Sequence, residues 1–108
     1  MDTELPAPIA AFVNAQNAHD TAALLSCFTD DAVVHDEERD HRGKQAIRAW
    51  SDDVIRRYQL SSEVLGVERR DEGLLVRALV SGTFDGSPAE LSWLFAIRGD
   101  KIAEMRTL

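Results

Sequence analysis

The sequence predicts a single α+β domain, and three observations predict it. Apolar residues recur at spacings of three and four through most of the stretch up to Tyr58 and at a spacing of two beyond it, so helices precede strands instead of alternating with them. The 108 residues leave room for one core, and residues 1–108 are read as one domain. A hydrophobic fraction of 44% with 29% charged residues is ordinary for a globular chain and excludes disorder, collagen-like repeats and coiled coil.

Pro6 and Pro8 stand where a helix begins, and Ile9, Phe12, Val13 and Gln16 follow at helical spacing, so Pro8 to Ala18 is expected to be a short amphipathic helix. His19-Asp20 interrupts it. Asp20 can cap a second helix by accepting from the amide of Ala22 or Ala23, with Leu24, Leu25 and Phe28 as its apolar edge and Asp30-Asp31 as its end. The β-branched run Ala32 to Asp36 predicts a strand that returns through Arg39 to Arg42, and Gly43 marks the turn out. From Lys44 to Tyr58, Ile47, Trp50, Val54 and Tyr58 form one face, while Arg48, Asp52 and Arg56 are spaced for i,i+4 pairing on the other. After the turn Asp71-Glu72-Gly73, Leu74, Val76, Ala78, Val80, Gly82 and Phe84 share a strand face. Leu91, Trp93, Phe95 and Ile97 share another after Gly86-Ser87-Pro88. Gly99-Asp100 makes a tight hairpin into a final strand from Lys101 to about Leu108.

Nineteen acidic against twelve basic residues give a net charge of -7, which repels phosphate backbones and anionic membrane surfaces, so no nucleic acid or membrane partner is expected. No apolar run approaches the roughly 20 residues of a membrane span, and Met1 to Glu4 lack a basic or apolar leader, so a soluble cytoplasmic protein is expected. The lone Cys27 has no basic neighbour in sequence and reads as a small core residue. No Cys/His pair has zinc-ligand spacing, and the acids between Asp30 and Asp40 lack the alternating ligands and turn glycine of a calcium loop. Neither a metal nor a cofactor is expected.

The order helix, helix, short hairpin, long helix and long strands resembles the nuclear transport factor two-like superfamily, with its SnoaL-like and ketosteroid-isomerase-like branches. The resemblance is carried by Asn17 to Asp20 at the helix junction, Phe28 to Asp36 into the first strand, Gly43 to Arg48 opening the long helix, and Gly99 to Ile102 in the last hairpin. It implies a cone-shaped, strongly curved antiparallel or mixed sheet wrapped around three N-terminal helices, a cystatin-like roll. It does not imply one reaction, because the superfamily reuses its pocket for isomerases, cyclases, epoxide hydrolases and dehydratases. In the isomerase branch, Asp36 falls at the position of the catalytic base. The positions of the two oxyanion donors hold Phe12 and Trp93, which leaves only the Trp93 indole N–H to stabilise an enolate and disfavours steroid isomerisation. The paired-acid pattern of the epoxide hydrolases is not reproduced at recognisable spacing.

Asp36, with His35, Arg39 and His41 around it, is the sequence's one cluster with acid/base potential near neutral pH, and Asp36 and His41 are the candidate catalytic residues. His35 alternates to the opposite strand face. Phe12, Trp50, Val54, Trp93 and Phe95 are the candidate ligand-binding residues, with Phe84 beside them on the same interior. Three functions are compatible with this pattern. The first is binding of an apolar small molecule without completed chemistry; the second is an isomerase, cyclase or lyase using Asp36 as general base; the third is an interaction module with a vestigial pocket. Leu75, Leu79, Leu94 and Ala96 alternate onto the face away from the helices, where they predict a homodimer.

Overall fold

In the computed structural model, which describes residues 5–108, the chain forms three helices and six strands. Met1 to Glu4, read above as lacking a basic or apolar leader, lie outside the described residues. The first helix, α1 (Ala7–Asn17), starts with proline in its first turn, where the missing N–H has no intrahelical partner to lose, and buries Ile9, Phe12, Val13, Ala15 and Gln16. The second, α2 (Thr21–Leu25), is capped by Asp20, whose carboxylate accepts from the Ala23 amide at 3.0 Å.

The helix α2 is shorter than the sequence suggests. Phe28 is not on its edge but opens β1 (Phe28–Asp36), because the last strand, β6 (Lys101–Thr107), pairs with it in parallel and the Ile102 amide donates to the Cys27 carbonyl at 2.7 Å. The polar stretch Thr29-Asp30-Asp31 reads locally as a helix stop. It lies within the strand because β6 pairs with Phe28 before it and with Val33 after it, the residues between forming an irregularity in the register, and Arg98 also bonds Asp31. The short strand β2 (Arg39–Arg42) returns antiparallel to β1 as expected, through Glu37 and Glu38, both with positive φ (54° and 62°).

Between β2 and the sheet's other half runs α3 (Gly43–Tyr58), burying Ile47, Trp50, Ser51 and Val54 and ending at Gln59 in the left-handed conformation. The expected i,i+4 ladder through Asp52 does not form. Arg56 and Arg57 both pair with Asp53, while Asp52 accepts from the Thr21 hydroxyl at 2.6 Å and so ties α3 to α2.

Next come β3 (Ser61–Arg70), β4 (Gly73–Ser81) and β5 (Ala89–Arg98), giving one six-stranded sheet in the order β2-β1-β6-β5-β4-β3. Only β1 with β6 is parallel. The periodicity beyond Tyr58 did not resolve β3 as a separate strand, since its alternation is interrupted at Gly66, where the register shifts against β4. Further register shifts in β1/β6 and β5/β6 bend the sheet into an open cone around the helices. Phe12 is the core's centre: its ring meets those of Phe28, Trp93 and Phe95 edge-on at 6.0, 6.0 and 5.6 Å.

Gly82 and Phe84 were expected to extend a strand, but β4 stops at Ser81 and residues 82–88 fold over the C-terminus of α3. The Thr83 amide donates to the Tyr58 carbonyl at 2.8 Å and the Thr83 hydroxyl to the Arg57 carbonyl at 3.0 Å. A Cβ at position 82 would come within 2.5 Å of the Tyr58 carbonyl oxygen, so glycine is what permits this approach. That loop carries Phe84 against Tyr58, edge-on at 6.1 Å.

Candidate functional site

Helices cover the narrow end of the cone and leave its wide end unfilled. There, between α3, β1 and the inner face of β4, β5 and β6, lies a cavity of about 290 Å³. Trp50, Val54 and Tyr58 face it from α3, Val80 from β4, Leu91 and Trp93 from β5, and Met105 and Thr107 from β6, with Leu60 and Phe84 at connecting segments. Its polar groups are Gln16, Asp36, Glu37 and Thr107 beside the Tyr58 hydroxyl, and its titratable lining includes no lysine, arginine or histidine.

The strand β1 delivers Asp36. Val34 and Asp36 share one face, so once Val34 is fully buried the Asp36 side chain must also turn inward, at the strand's last residue where the cone opens. Its Oδ2 accepts a hydrogen bond from the Trp50 indole N–H at 3.0 Å. The helical spacing that buries Ile47 and Val54 sets Trp50 on the same face of α3, opposite the strand's end. Glu37, one residue on, is held differently. Its Oε1 accepts from Arg57 at 2.9 Å and its Oε2 from the Tyr58 hydroxyl at 3.1 Å; the Arg57 guanidinium beside it keeps its carboxyl below the usual glutamate range. The hydrogen bond to the Glu37 carboxylate pushes the Tyr58 hydroxyl up.

Of the residues singled out in the sequence, Asp36, Trp50, Val54 and Trp93 come together in the cavity wall. Phe12 and Phe95 do not line it; both are fully buried in the aromatic cluster beneath. His41 stands outside. Its ring lies 6.1 Å from that of Trp50, in a wider open groove formed with Arg39, Ala46, Ala49, Asp53 and Arg57. His35 is on the convex face, its Nδ1 2.5 Å from Asp40 and its Nε2 2.7 Å from Glu104, and the ring holds the Asp40 carboxyl below its ordinary value.

Sequence reasoning did not single out Gln16, Glu37, Tyr58 and Thr107 as site residues. A signal existed for Gln16, a polar residue on the apolar face of α1. Its Oε1 accepts from the Ser62 hydroxyl at 2.6 Å, and Asn17 exchanges two bonds with the Ser62 backbone, which fixes α1 on β3. Cys27 is a core residue, as its surroundings in sequence suggested, but it does have basic neighbours. Lys44 and Lys101 donate to the carbonyls of Leu25 and Ser26 at the end of α2, and burial outweighs their effect and pushes the Cys27 thiol up. No group of three potential metal ligands is assembled among the described residues.

A family model for the SnoaL-like domain matches residues 9–105. The chain belongs to the SnoaL-like family. Its fold is that of the nuclear transport factor two-like superfamily, the resemblance the sequence carries. Among solved structures, this SnoaL-like chain is similar to a candidate polyketide cyclase from Sinorhizobium meliloti, with 36% identity over 96% of this chain and 95% of that one and a TM-score of 0.91. It is also similar to a protein with a ketosteroid-isomerase-like fold from Catenulispora acidiphila, in complex with trimethylamine (18% identity, 97% and 86% covered, TM-score 0.83). A third is an LEH-like epoxide hydrolase from M. tuberculosis (14%, 94% and 79%, TM-score 0.76). At 18% and 14% identity these last two share the fold alone. No curated protein sequence matches. None of the helices among the described residues is long and apolar enough to cross a membrane.

Proposed function

We propose that this SnoaL-like chain binds a small, predominantly apolar molecule in the cavity at the wide end of the cone. One observation carries the reading: in a chain of 108 residues whose core is otherwise filled by aromatic and branched side chains, a space of about 290 Å³ is left open behind an apolar wall. That volume is near the lower end of small-molecule sites, about 300–1,000 Å³. Both tryptophans of the chain, Trp50 and Trp93, line it, so intrinsic fluorescence reports occupancy directly. Titration with hydrophobic ketones, polyketide fragments and terpenoids is expected to give a saturable fluorescence change with a rise in Tm. Ligand at a hundred times its Kd should add about 2.7 kcal/mol of stability. Leu91→Trp, which fills the cavity, should abolish both signals. Silence across the whole set, or binding undiminished in Leu91→Trp, would leave the interaction-module reading in its place.

A second reading is supported by the position of Asp36. A carboxylate at the edge of an apolar cavity, oriented through one oxygen by the Trp50 indole, leaves its other oxygen free to accept a proton from a ligand carbon, as an isomerase, cyclase or lyase requires. The 36% identical candidate polyketide cyclase favours this class. Trp93 supplies an indole N–H with no acceptor among the described residues, a donor in the wall suited to a developing oxyanion, with the Gln16 amide and Thr107 hydroxyl also lining the space. Loss of turnover in Asp36→Asn with binding retained distinguishes the enzyme from the carrier.

A further inference from the structure

We propose that the ligand of this cavity is an apolar amine, bound as its ammonium cation with Asp36 as counter-ion. The proposal rests on the binding role argued above and names the chemical class of what is bound. The cavity wall holds two carboxylates and no cationic side chain, and the two are not equivalent. Both oxygens of Glu37 are engaged, one by the Arg57 guanidinium and one by the Tyr58 hydroxyl, so its charge is balanced within the protein. Asp36 receives only the Trp50 indole N–H, a neutral donor, on Oδ2. Arg39, its partner across the hairpin, lies in the outer groove with His41 and does not reach the cavity wall.

The cavity therefore carries one uncompensated negative charge against an otherwise apolar lining. A neutral apolar ligand filling that space would strip water from the Asp36 carboxylate and return no hydrogen bond, and an anionic ligand would add like-charge repulsion. An ammonium group does the reverse: it supplies a charge-assisted donor to the free oxygen and removes the desolvation cost at the same atom. The remaining wall fits the same ligand, since Trp50, Tyr58, Phe84 and Trp93 present four aromatic rings around the space, and ring faces attract cations. The apolar body of the amine would lie against Val54, Val80 and Leu91.

Three molecules of matched shape and different charge test this at neutral pH: cyclohexylmethylamine, cyclohexylmethanol and cyclohexanecarboxylate, titrated into the full chain by tryptophan fluorescence and calorimetry. The amine is expected to bind about tenfold or more tightly than the alcohol, and the carboxylate most weakly. In Asp36→Asn, whose amide oxygen can still accept from Trp50, the amine should lose that advantage while the alcohol binds at least as well as before. An alcohol that matches the amine in the unaltered chain overturns the proposal and leaves the apolar-binding reading standing. A preference that survives in folded Asp36→Asn also overturns it. Failure of all three to bind overturns the amine proposal, and the apolar-binding reading is then decided by the titration with ketones, polyketide fragments and terpenoids. The comparison in the unaltered chain decides the matter even where the variant folds poorly.

Discussion

Asp36 and Glu37 are adjacent carboxylates on one strand end, yet their surroundings give them different work. Glu37 is a structural contact. Its ion pair with Arg57 is half exposed on both sides, at 47% and 39% of side-chain area, so solvent screens it and its worth is small. Because the folded state holds the Glu37 carboxyl below its ordinary value of 4.5, the pair stabilises the fold fully above that pH and loses its effect as pH falls through the depressed folded value. Glu37→Gln should therefore lower the urea midpoint slightly at pH 7, and the two proteins should converge in acid. A difference that persists or grows as Glu37 becomes protonated would contradict the assignment.

At the scale of elements, the β1–β2 hairpin is the part of the fold that sets the site and the part whose local sequence is least suited to its shape. A two-residue turn with positive φ at both positions is ordinarily made by Asn-Gly or Asp-Gly, and here it is made by Glu37 and Glu38. The strain is maintained because Arg57 and Tyr58 hold Glu37 against α3, which keeps Asp36 at the cavity's edge. Exposed Glu38 makes no such contact among the described residues. Glu38→Gly should consequently stabilise the chain by about 0.5 kcal/mol, the relief at φ 62° exceeding the extra entropy of the unfolded glycine, with ligand affinity unchanged. Urea unfolding reads the first and fluorescence titration the second. A loss of stability would mean that Glu38 contributes a contact.

At the scale of the whole molecule, the convex face of the sheet is the surface without a covering layer, and we propose that a second copy covers it. Leu79, Leu94 and Ala96 are half-buried there, whereas Leu75, expected to belong to the same stripe, is only 9% exposed in the single chain because its register neighbours Glu68 and Leu94 flank it. Leu94 and Ala96 are bordered by Arg106 and Glu104 on β6, with His35 beyond them, while the Arg77–Glu90 pair stands between these two residues and Leu79 and divides the stripe. Sedimentation at micromolar concentration should give twice 12.0 kDa for the unaltered chain and 12.0 kDa for Leu94→Arg. A monomer in both would confine the protein's function to the single cone.

Periodicity alone determined the three helices, the hairpin return through Arg39 to Arg42, the last hairpin at Gly99-Asp100 and the inward set Val76, Ala78, Val80, Trp93 and Phe95, because each depends on which residues one helix turn or one strand face must bury. It also brought Trp50, Val54 and Trp93 forward as candidate site residues, since they share those inward faces, while Asp36 came forward from the family resemblance and its cluster of titratable neighbours. What it could not decide was depth along the cone. Phe12 and Phe95 carry the same apolar signal as Trp93, but they lie where helices fill the cone and Trp93 faces the open end. Nor could it decide contacts between distant segments: the parallel pairing that makes Phe28 to Asp31 strand, the fold of residues 82–88 onto α3, and the partners that balance the charge of Glu37 and leave that of Asp36 uncompensated. Local pattern records whether a side chain must leave water; which neighbour it then meets is set by bulges, loop placement and sheet curvature, and these exist only once the chain has closed on itself.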